Sequence, residues 1–218
     1  MEHQTVGFLF DLDGVIIDTE SGYDQFWGDQ MRRAFPSEPE LFRKIKGQTL
    51  TEIYNRFFPD PSVQERITAE LNAFERDMPM PWVEGFVEFA ESIRRAGYQS
   101  CVVTSSNQPK MQSVYRQHPE LRSLVDFVLS SEDFHESKPA PECYLVGAAR
   151  LGLKPEQCIA FEDSLNGLKS AWDAGTHVVG LTTSLSAEVI KDRCHLTCPN
   201  FKNIDLAQLV ETLMITKR

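Results

Sequence analysis

Two aspartates with one residue between them are the groups in this sequence best placed to do chemistry. Asp11 and Asp13 follow the apolar run Phe8–Phe10, and Gly14 comes next. In an extended chain, residues i and i+2 point to the same side, so both carboxylates should face one small volume. Two bare carboxylates would raise each other's pKa, whereas Mg²⁺ accepts such oxygen ligands and often bridges to a substrate phosphate. One carboxylate can then attack phosphorus while the other carries protons. The alternative is two solvated acids at a strand end.

A run of hydroxyl side chains follows a second predicted strand. Thr104, Ser105 and Ser106 come directly after the apolar stretch 99–103, and Pro109 marks the start of a helix. A hydroxyl at a strand end, followed by backbone N–H groups that enter a helix, can cradle a phosphate. Ser and Asn are also common helix N-caps, so this run alone leaves both interpretations open.

Charged residues follow two further predicted strands. Lys138 lies in a proline-rich loop, where a lysine can neutralise both a carboxylate nucleophile and an incoming phosphoryl group. Glu162 and Asp163 follow the next strand, where they would complete a cation site opposite Asp11. Acids at the start of a helix are also favourable without any cation, so this pair is not decisive by itself.

Short apolar strands alternate with helix-period stretches along most of the chain. This alternation predicts an α/β fold with a Rossmann-like core, in which a parallel sheet is covered by helices on both faces. In open parallel sheets ligands bind beyond the carboxyl ends of the strands, where the polar residues above fall. The predicted strands are Val6–Phe10, Gln99–Val103, Phe127–Ser130, Cys158–Phe161 and His177–Leu181, and the predicted helices between them are Val87–Arg95, Pro109–Gln117, Pro141–Leu151 and Leu165–Ala174.

The alternation disappears between Asp18 and about Pro81, where the pattern is mostly helical. We expect a small all-helical cap domain over residues 19–81, inserted after the first strand into a core domain of residues 1–18 and 82–218. The hinges should be Asp18–Glu20 and Pro79–Gly85. The predicted cap helices are Ser21–Ala34, Pro39–Lys44, Thr51–Phe57 and Ser62–Asp77, with a small core of Phe26, Trp27, Met31, Ile53, Tyr54 and Phe57.

The ordered set of strand-end residues resembles the four motifs of the haloacid dehalogenase (HAD) superfamily of phosphohydrolases, over nearly the whole chain. The resemblance implies a Mg²⁺-dependent reaction through an aspartyl-phosphate. It implies the following roles: Asp11 as nucleophile and metal ligand, Asp13 as general acid/base with its backbone carbonyl on the metal, Thr104 with the N–H groups of Ser105 and Ser106 as phosphate donors, Lys138 as the charge-balancing lysine, and Glu162 and Asp163 as metal-anchoring acids.

Residues 11–19 and 137–141 resemble the β-phosphoglucomutase-like branch of this superfamily. Mutases of that branch carry a His on the first cap helix and an Arg in the cap's glycine loop, where this chain has Tyr23 and Leu50. Asn107 also replaces the lysine that follows the hydroxyl motif. We therefore expect a phosphatase that hydrolyses a small phosphorylated metabolite of the sugar phosphate class. A phosphosugar mutase and a non-catalytic binding module on the same scaffold are the alternatives.

Substrate selection is expected to lie in the cap. The candidate residues flank the predicted hinge or belong to the glycine loop that should face the core domain, and a solvated cap surface is the alternative. They are Glu20, Tyr23, Lys46, Gln48 and Thr49.

Composition limits the remaining possibilities. The chain has 218 residues, 41% of them hydrophobic and 25% charged, with a net charge of −10, which argues against a nucleic-acid partner. No stretch predicts a membrane-spanning or secretory segment, so we expect no membrane partner. Five cysteines in a chain of this size indicate free thiols and a cytoplasmic location, although Cys194, His195 and Cys198 together suggest a structural metal as a minor alternative. We expect a monomer.

Overall fold

The structure, a computed structural model, describes residues 5–45, 48 and 50–215. A six-stranded sheet lies at its centre, and all neighbouring strands run parallel. The strands are β1 (Gly7–Phe10), β2 (Gln99–Val103), β3 (Phe127–Leu129), β4 (Cys158–Glu162), β5 (His177–Leu181) and β6 (Leu196–Cys198).

The strand order is β3-β2-β1-β4-β5-β6, so the winding direction reverses beside β1. β1 pairs with β2 on one side and with β4 on the other, with Gly7 opposite both Gln99 and Cys158. Ligands of open α/β sheets bind beyond the carboxyl ends of the strands at this reversal. The segments that follow β1, β2 and β4 therefore meet at one place.

Helices cover both faces of the sheet, which explains why its inner strands are buried at every position except Gln99. Along β1, Phe8 and Phe10 pack into an apolar cluster on one face, whereas Leu9 packs into a second cluster on the other face. The first cluster is rich in aromatic rings, such as the edge-to-face pair of Phe10 and Phe86 at 5.6 Å. The second contains the fully buried Tyr144. This packing fixes the ends of the central strands, which hold the polar residues.

Four α-helices of the core begin within one residue of their predicted starts, namely α4 (Phe86–Arg95), α5 (Gln108–Gln117), α7 (Glu142–Arg150) and α8 (Leu165–Asp173). The described part of the core also contains the short helices α6 (Leu121–Leu124), α9 (Ala187–Ile190) and α10 (Leu206–Val210). The predicted α/β fold class is confirmed. The short elements α6, α9, α10 and β6 were not predicted, because three to five residues are too few to show a periodic apolar pattern.

Residues between β1 and α4 form a helical insertion, Glu20–Asp77, with its own apolar cluster. It contains α1 (Glu20–Ala34), α2 (Leu50–Phe57) and α3 (Pro61–Asp77). The predicted helix over 39–44 is instead a 3₁₀ turn, Leu41–Ile45, in which the Arg43 N–H bonds to Glu40 O three residues back, a pattern common in short connecting segments. The buried residues of its cluster include the predicted Phe26, Trp27, Met31, Ile53 and Tyr54, and Phe57 packs against them partly buried.

The chain leaves and re-enters the sheet layer through two segments that pair with each other. The backbone N–H of Asp18 donates to Pro81 O at 2.8 Å, and the N–H of Val83 donates to Ile16 O at 2.9 Å. These contacts fall within or beside the predicted hinges. The two points at which the chain crosses between the sheet layer and the insertion therefore lie side by side.

No described helix is long and apolar enough to cross a membrane. All five cysteines are free thiols.

Candidate active site

The loop after β1 turns sharply so that Asp11 and Asp13 lie beside the end of β4. The N–H of Asp11 donates to Phe161 O at 3.1 Å, which extends the pairing of β1 and β4 by one residue. Gly14 has φ +73°, a conformation that side chains disfavour. A Cβ on Gly14 would also lie 1.9 Å from Asp163 Oδ2. Both the backbone conformation and this close approach therefore require glycine at this position.

Lys138 bridges two buried carboxylates. Its ammonium lies 2.6 Å from Asp11 Oδ1 and 2.6 Å from Glu162 Oε1, and it donates a further hydrogen bond to Val103 O at 3.0 Å. Burial alone would lower the pKa of Lys138, but Asp11 and Glu162 outweigh burial and raise that pKa above its ordinary value. Lys138 therefore lies where its charge offsets those of Asp11 and Glu162.

Glu162 is wholly buried and both of its carboxylate oxygens are engaged. Oε1 accepts from Lys138 and from the Tyr144 hydroxyl at 2.8 Å, while Oε2 accepts from the Asp163 N–H at 3.1 Å. Gly167 provides the space, because a Cβ there would lie 1.9 Å from the carboxylate. Sequence reasoning missed Tyr144, which lies on α7 with no motif around it.

Three carboxylates form a candidate metal centre at the strand ends. One oxygen each of Asp11, Glu162 and Asp163 lies within 4.8 Å of the others. Burial raises the pKa of Asp11 to about 7 despite the opposing effect of Lys138, and burial raises the pKa of Asp163 well above its ordinary value. Charged carboxylates gathered in this way call for a cation, so the donor set fits a divalent metal ion.

Asp163 is oriented by two hydroxyl groups that follow β5. Ser184 donates a short hydrogen bond to Asp163 Oδ2, and Thr183 lies 3.5 Å from the same oxygen. Thr183 also donates to Gly14 O at 2.5 Å, which ties the loop after β1 to the loop after β5. Neither Thr183 nor Ser184 was predicted as a site residue. The available signal was their position just after β5, whose carboxyl end lies at the same edge of the sheet as those of β1 and β4.

Among the residues that the structure describes, no other His, Cys, Asp and Glu side chains gather as a possible metal site. The ring of His195 accepts a hydrogen bond from the Val178 N–H at 2.9 Å, and the Cys194 thiol donates to Ile190 O. Both groups thus bond to backbone atoms of the α/β core. The minor alternative of a metal at Cys194, His195 and Cys198 gains no support.

Asp13 receives three hydrogen bonds. Thr19 Oγ1 and Ser106 Oγ each donate to it at 2.9 Å, and Lys110 Nζ donates at 2.6 Å. Burial alone would raise the pKa of Asp13, but Lys110 and the two hydroxyls together hold that pKa below its ordinary value. Asp13 is therefore an oriented carboxylate beside Asp11.

Two residues of the predicted phosphate-binding run, Thr104 and Ser106, are hydrogen-bonded to each other. Thr104 is buried, and its Oγ1 accepts from the Ser106 N–H at 3.0 Å, which leaves the hydroxyl proton of Thr104 to donate. The Ser106 N–H was predicted to face phosphate but points to Thr104, because this turn closes on the preceding side chain. Ser105 is exposed to the cavity described below.

Lys110 is a site residue that the sequence did not reveal. Asn107 stands where the β-phosphoglucomutase-like branch has a lysine. In the structure Asn107 caps α5 by accepting from the Lys110 N–H at 3.0 Å, and the Lys110 side chain runs back to Asp13. The available signal was a lysine in the first turn of a helix, where a cation is unfavourable without an acidic partner.

A cavity of about 860 Å³ lies between these strand ends and the helical insertion. Its lower wall includes Asp11, Asp13, Thr104, Ser105, Lys138 and Asp163, and its upper wall includes Glu20, Tyr23, Gln48, Glu52, Thr68 and Glu75. Three of the predicted specificity residues, Glu20, Tyr23 and Gln48, thus line the cavity. Lys46 and Thr49 lie outside the described residues.

Comparison with known proteins shows the family to which the chain belongs. A sequence profile of the family described as "Haloacid dehalogenase-like hydrolase" matches residues 8–181. The chain belongs to this family. Hexitol phosphatase A of Escherichia coli is 27% identical over 221 residues, covering 97% of this chain and 94% of that protein. Validoxylamine A 7′-phosphate phosphatase of Streptomyces hygroscopicus subsp. limoneus is 31% identical over 191 residues, covering 84% of this chain and 89% of that protein.

A solved structure of β-phosphoglucomutase from Clostridium difficile shares the fold, with a TM-score of 0.74 and 19% identity over 96% of this chain and 97% of its own. Membership of the HAD family and a phosphoric monoester hydrolase activity are therefore confirmed, whereas the β-phosphoglucomutase-like branch stays a prediction.

Proposed function

We propose that this protein is a Mg²⁺-dependent phosphatase that hydrolyses a small sugar or polyol phosphate through an aspartyl-phosphate on Asp11. The observation that carries the proposal is the buried cluster of Asp11, Lys138, Glu162 and Asp163 at the carboxyl ends of β1 and β4. Such a cluster combines a nucleophile, a fixed cation and acidic ligands on one wall of a cavity large enough for a metabolite.

The metal ligands would be the carboxylates of Asp11 and Asp163 and the backbone carbonyl of Asp13. Bound Mg²⁺ supplies charge neutralisation between the nucleophile and the phosphoryl oxygens. Glu162 was predicted as a metal-anchoring acid, and its position in the acidic cluster is compatible with that role. Its hydrogen bonds to Lys138 and Tyr144 support a second role, which is to hold Lys138 against Asp11.

Asp11 is the proposed nucleophile. Lys138 binds Asp11 Oδ1, so the other carboxylate oxygen is the one left to attack phosphorus in line with the leaving oxygen. As the Asp11–phosphorus bond forms, the bond to the leaving oxygen breaks. Lys138, the Thr104 hydroxyl and the Ser105 N–H stabilise the charge on the transferring group.

Asp13 is the proposed general acid/base. It gives a proton to the leaving oxygen, and then removes a proton from the water that cleaves the aspartyl-phosphate. Its hydrogen bonds to Thr19 and Ser106 hold the carboxylate in one orientation at the cavity wall. Its lowered pKa favours the charged form that accepts a proton from water in the second step, and works against the protonated form that the first step uses.

The helical insertion is the proposed cap, a domain of residues 19–81 over a core of residues 1–18 and 82–218. Its separate apolar cluster and its two paired crossing segments support movement as a unit. Closure over the cavity would exclude bulk water from the aspartyl-phosphate until Asp13 activates one molecule.

The upper wall of the cavity favours hydrolysis of a monophosphate over mutase chemistry. It presents the carboxylates of Glu20, Glu52 and Glu75, which suit the hydroxyl groups of a sugar or polyol. No arginine or lysine of the described part of the insertion lines the cavity, so among these residues none is placed to bind a second phosphate there. The relatives that act on hexitol phosphate and validoxylamine A 7′-phosphate support a polyhydroxylated substrate.

Phosphate release from a panel of sugar and polyol phosphates, with and without Mg²⁺, tests the proposal. Asp11→Asn should abolish turnover, while Asp29→Asn, which removes a surface carboxylate paired with Arg32, should leave it unchanged. The panel should include β-glucose 1-phosphate, followed for glucose 6-phosphate with a bisphosphate primer. Primer-dependent isomerisation with little free phosphate would show a mutase, and wild-type activity of Asp11→Asn would exclude the assigned nucleophile.

A further inference from the structure

Lys110 is a buried cation placed between the α/β core and the helical insertion. It lies on α5 and is only 6% exposed. Its ammonium donates to Asp13 Oδ1 at 2.6 Å and makes a short hydrogen bond to the Tyr23 hydroxyl, and Glu75 Oε1 lies 4.0 Å away. Asp13 belongs to the loop after β1, whereas Tyr23 and Glu75 belong to α1 and α3 of the insertion. One side chain therefore contacts the proposed acid/base and both long helices of the proposed cap.

We infer that Lys110 is a positioning residue that fixes the Asp13 carboxylate when the insertion is seated on the core, with Tyr23 and Glu75 as its partners in the insertion. The inference rests on the phosphatase mechanism proposed above. It adds to that mechanism a physical link between cap closure and the acid/base, made by these three side chains.

The contacts within the insertion are arranged to hold Lys110 in this place. The Tyr23 hydroxyl accepts from Lys110 and donates to Glu75 Oε1 at 2.7 Å, so the phenol is fixed at both ends. The ammonium also lies 4.9 Å from the centre of the Tyr23 ring, within the range of a cation–π contact. If α1 and α3 moved away together, Lys110 would lose both partners in the insertion at once.

The donors of Lys110 are directed to protein groups, which separates its role from that of a phosphate ligand. An ammonium has three N–H donors. Two of them are directed to Asp13 and Tyr23, and Glu75 lies on a third side. Without Lys110, Asp13 would keep only the neutral hydroxyl donors of Thr19 and Ser106, which hold a carboxylate less firmly than an ammonium does.

Two substrates that form the same aspartyl-phosphate test this role. One is the best sugar or polyol phosphate of the panel, whose alkoxide leaving group needs a proton. The other is p-nitrophenyl phosphate, whose phenolate leaving group needs little protonation. Values of kcat/KM report only the steps up to loss of the leaving group, so a difference between the two substrates isolates delivery of the proton by Asp13.

Because Lys110 also lowers the pKa of Asp13, the variants are compared at the maximum of their own pH profiles. There we expect Lys110→Met to lower kcat/KM about 10- to 100-fold for the alkyl phosphate and less than about 3-fold for the aryl phosphate, since a poorly oriented Asp13 loses part of general acid catalysis. Lys110→Arg should restore part of this loss. Tyr23→Phe should also lower kcat/KM for the alkyl phosphate, but by less. The double variant should have the same kcat/KM as Lys110→Met alone, because both substitutions remove the same contact between Lys110 and Tyr23. An equal loss on both substrates, whether from a higher KM or from a lower kcat, would overturn the inference.

A thermal unfolding cycle on Lys110→Met, Tyr23→Phe and the double variant gives a readout that does not depend on activity. We expect the two single shifts in Tm not to add, since the residues contact each other. Additive shifts would overturn the link to the insertion. A non-additive cycle in a protein that hydrolyses no phosphate ester would instead show that the proposed function fails while the contact exists.

Discussion

Gly167 on α8 leaves the space that the Glu162 carboxylate fills, since a Cβ at this position would lie 1.9 Å from Glu162 Oε1. The close approach allows Glu162 to reach Lys138 and Tyr144 from the end of β4.

Gly167→Ala should therefore displace Glu162 and lower the free energy of unfolding by about 1–3 kcal/mol, the range for overpacking. We also expect loss of most phosphatase activity, because Lys138 would lose one of its two carboxylate partners. Gly28→Ala is the matched control. Its Cβ would meet only the flexible end of Arg32, 3.0 Å away, and alanine is the better helix former. Urea unfolding of both variants measures the difference, and equal stabilities would contradict the close-approach argument.

Lys138→Met should be more damaging than loss of any surface lysine. It leaves Asp11 and Glu162 as two buried carboxylates without the cation that lies 2.6 Å from each. Breaking a buried ion pair from one side costs about 3–5 kcal/mol. Lys169→Met, which removes an exposed i,i+4 pair with Asp173, should change stability by less than about 0.5 kcal/mol. Calorimetric or denaturant unfolding distinguishes the two, and a stable, active Lys138→Met protein would refute both the structural and the catalytic role of this lysine.

The sheet could be predicted from sequence because its strands are buried on both faces and are separated by helices of ordinary length. The predicted limits of Gln99–Val103 and His177–Leu181 agree with β2 and β5 residue for residue. β6 could not be predicted, since it is a three-residue edge strand whose middle residue, Thr197, is exposed. Its place in the sheet is set by pairing with β5, and the local sequence of β6 does not indicate this pairing.

The part of the site that lies directly at strand ends was equally visible in the sequence, and the part that comes from helices was not. Asp11, Thr104 and Asp163 directly follow β1, β2 and β4, and Lys138 lies in the loop between β3 and α7, all places that the alternation of strands and helices marks. Lys110 reaches the site from the first turn of α5, and its distance from Asp13 is set by the packing of that helix. When a side chain reaches the site from a different element, its position in the sequence does not indicate how close it lies to the other site residues.

Mg²⁺ affinity should rise with pH up to about pH 7 and above. In the metal-free protein burial raises the pKa of Asp11 to about 7, so below that pH a proton occupies this ligand and must leave when the cation binds. The raised pKa of Asp163 adds a second competing proton. Isothermal titration calorimetry at pH 6 in buffers of different ionisation enthalpy should detect proton release. The release should be smaller in Asp11→Asn, and no release from the wild type would show that these carboxylates are already charged.

The same shift gives the metal-free protein a defined stability profile. The pKa of Asp11 lies higher in the folded protein than its ordinary value of 3.8, so between about pH 4 and pH 7 the folded state binds more protons than the unfolded chain. The contribution of Asp11 to stability is present below this window and is lost as the pH rises through it. Tm in EDTA should fall from pH 5 to pH 8, and Mg²⁺ should raise Tm more at pH 8 than at pH 5. A larger effect of Mg²⁺ at pH 5 would contradict the assignment.

Ser184→Ala should weaken Mg²⁺ binding without unfolding the protein. The Ser184 hydroxyl donates to Asp163 Oδ2 and, with Thr183, fixes the orientation of that carboxylate. Loss of a hydrogen bond to a metal ligand typically lowers metal affinity 10- to 100-fold, so we expect a rise of about that size in the Mg²⁺ concentration needed for half-maximal activity. Ser186→Ala is the control, because Ser186 is exposed two residues further on and its side chain makes no capping bond to α9. If both variants require the same Mg²⁺ concentration as the wild type, Asp163 holds its orientation without Ser184, and the loop after β5 has no part in shaping the metal site.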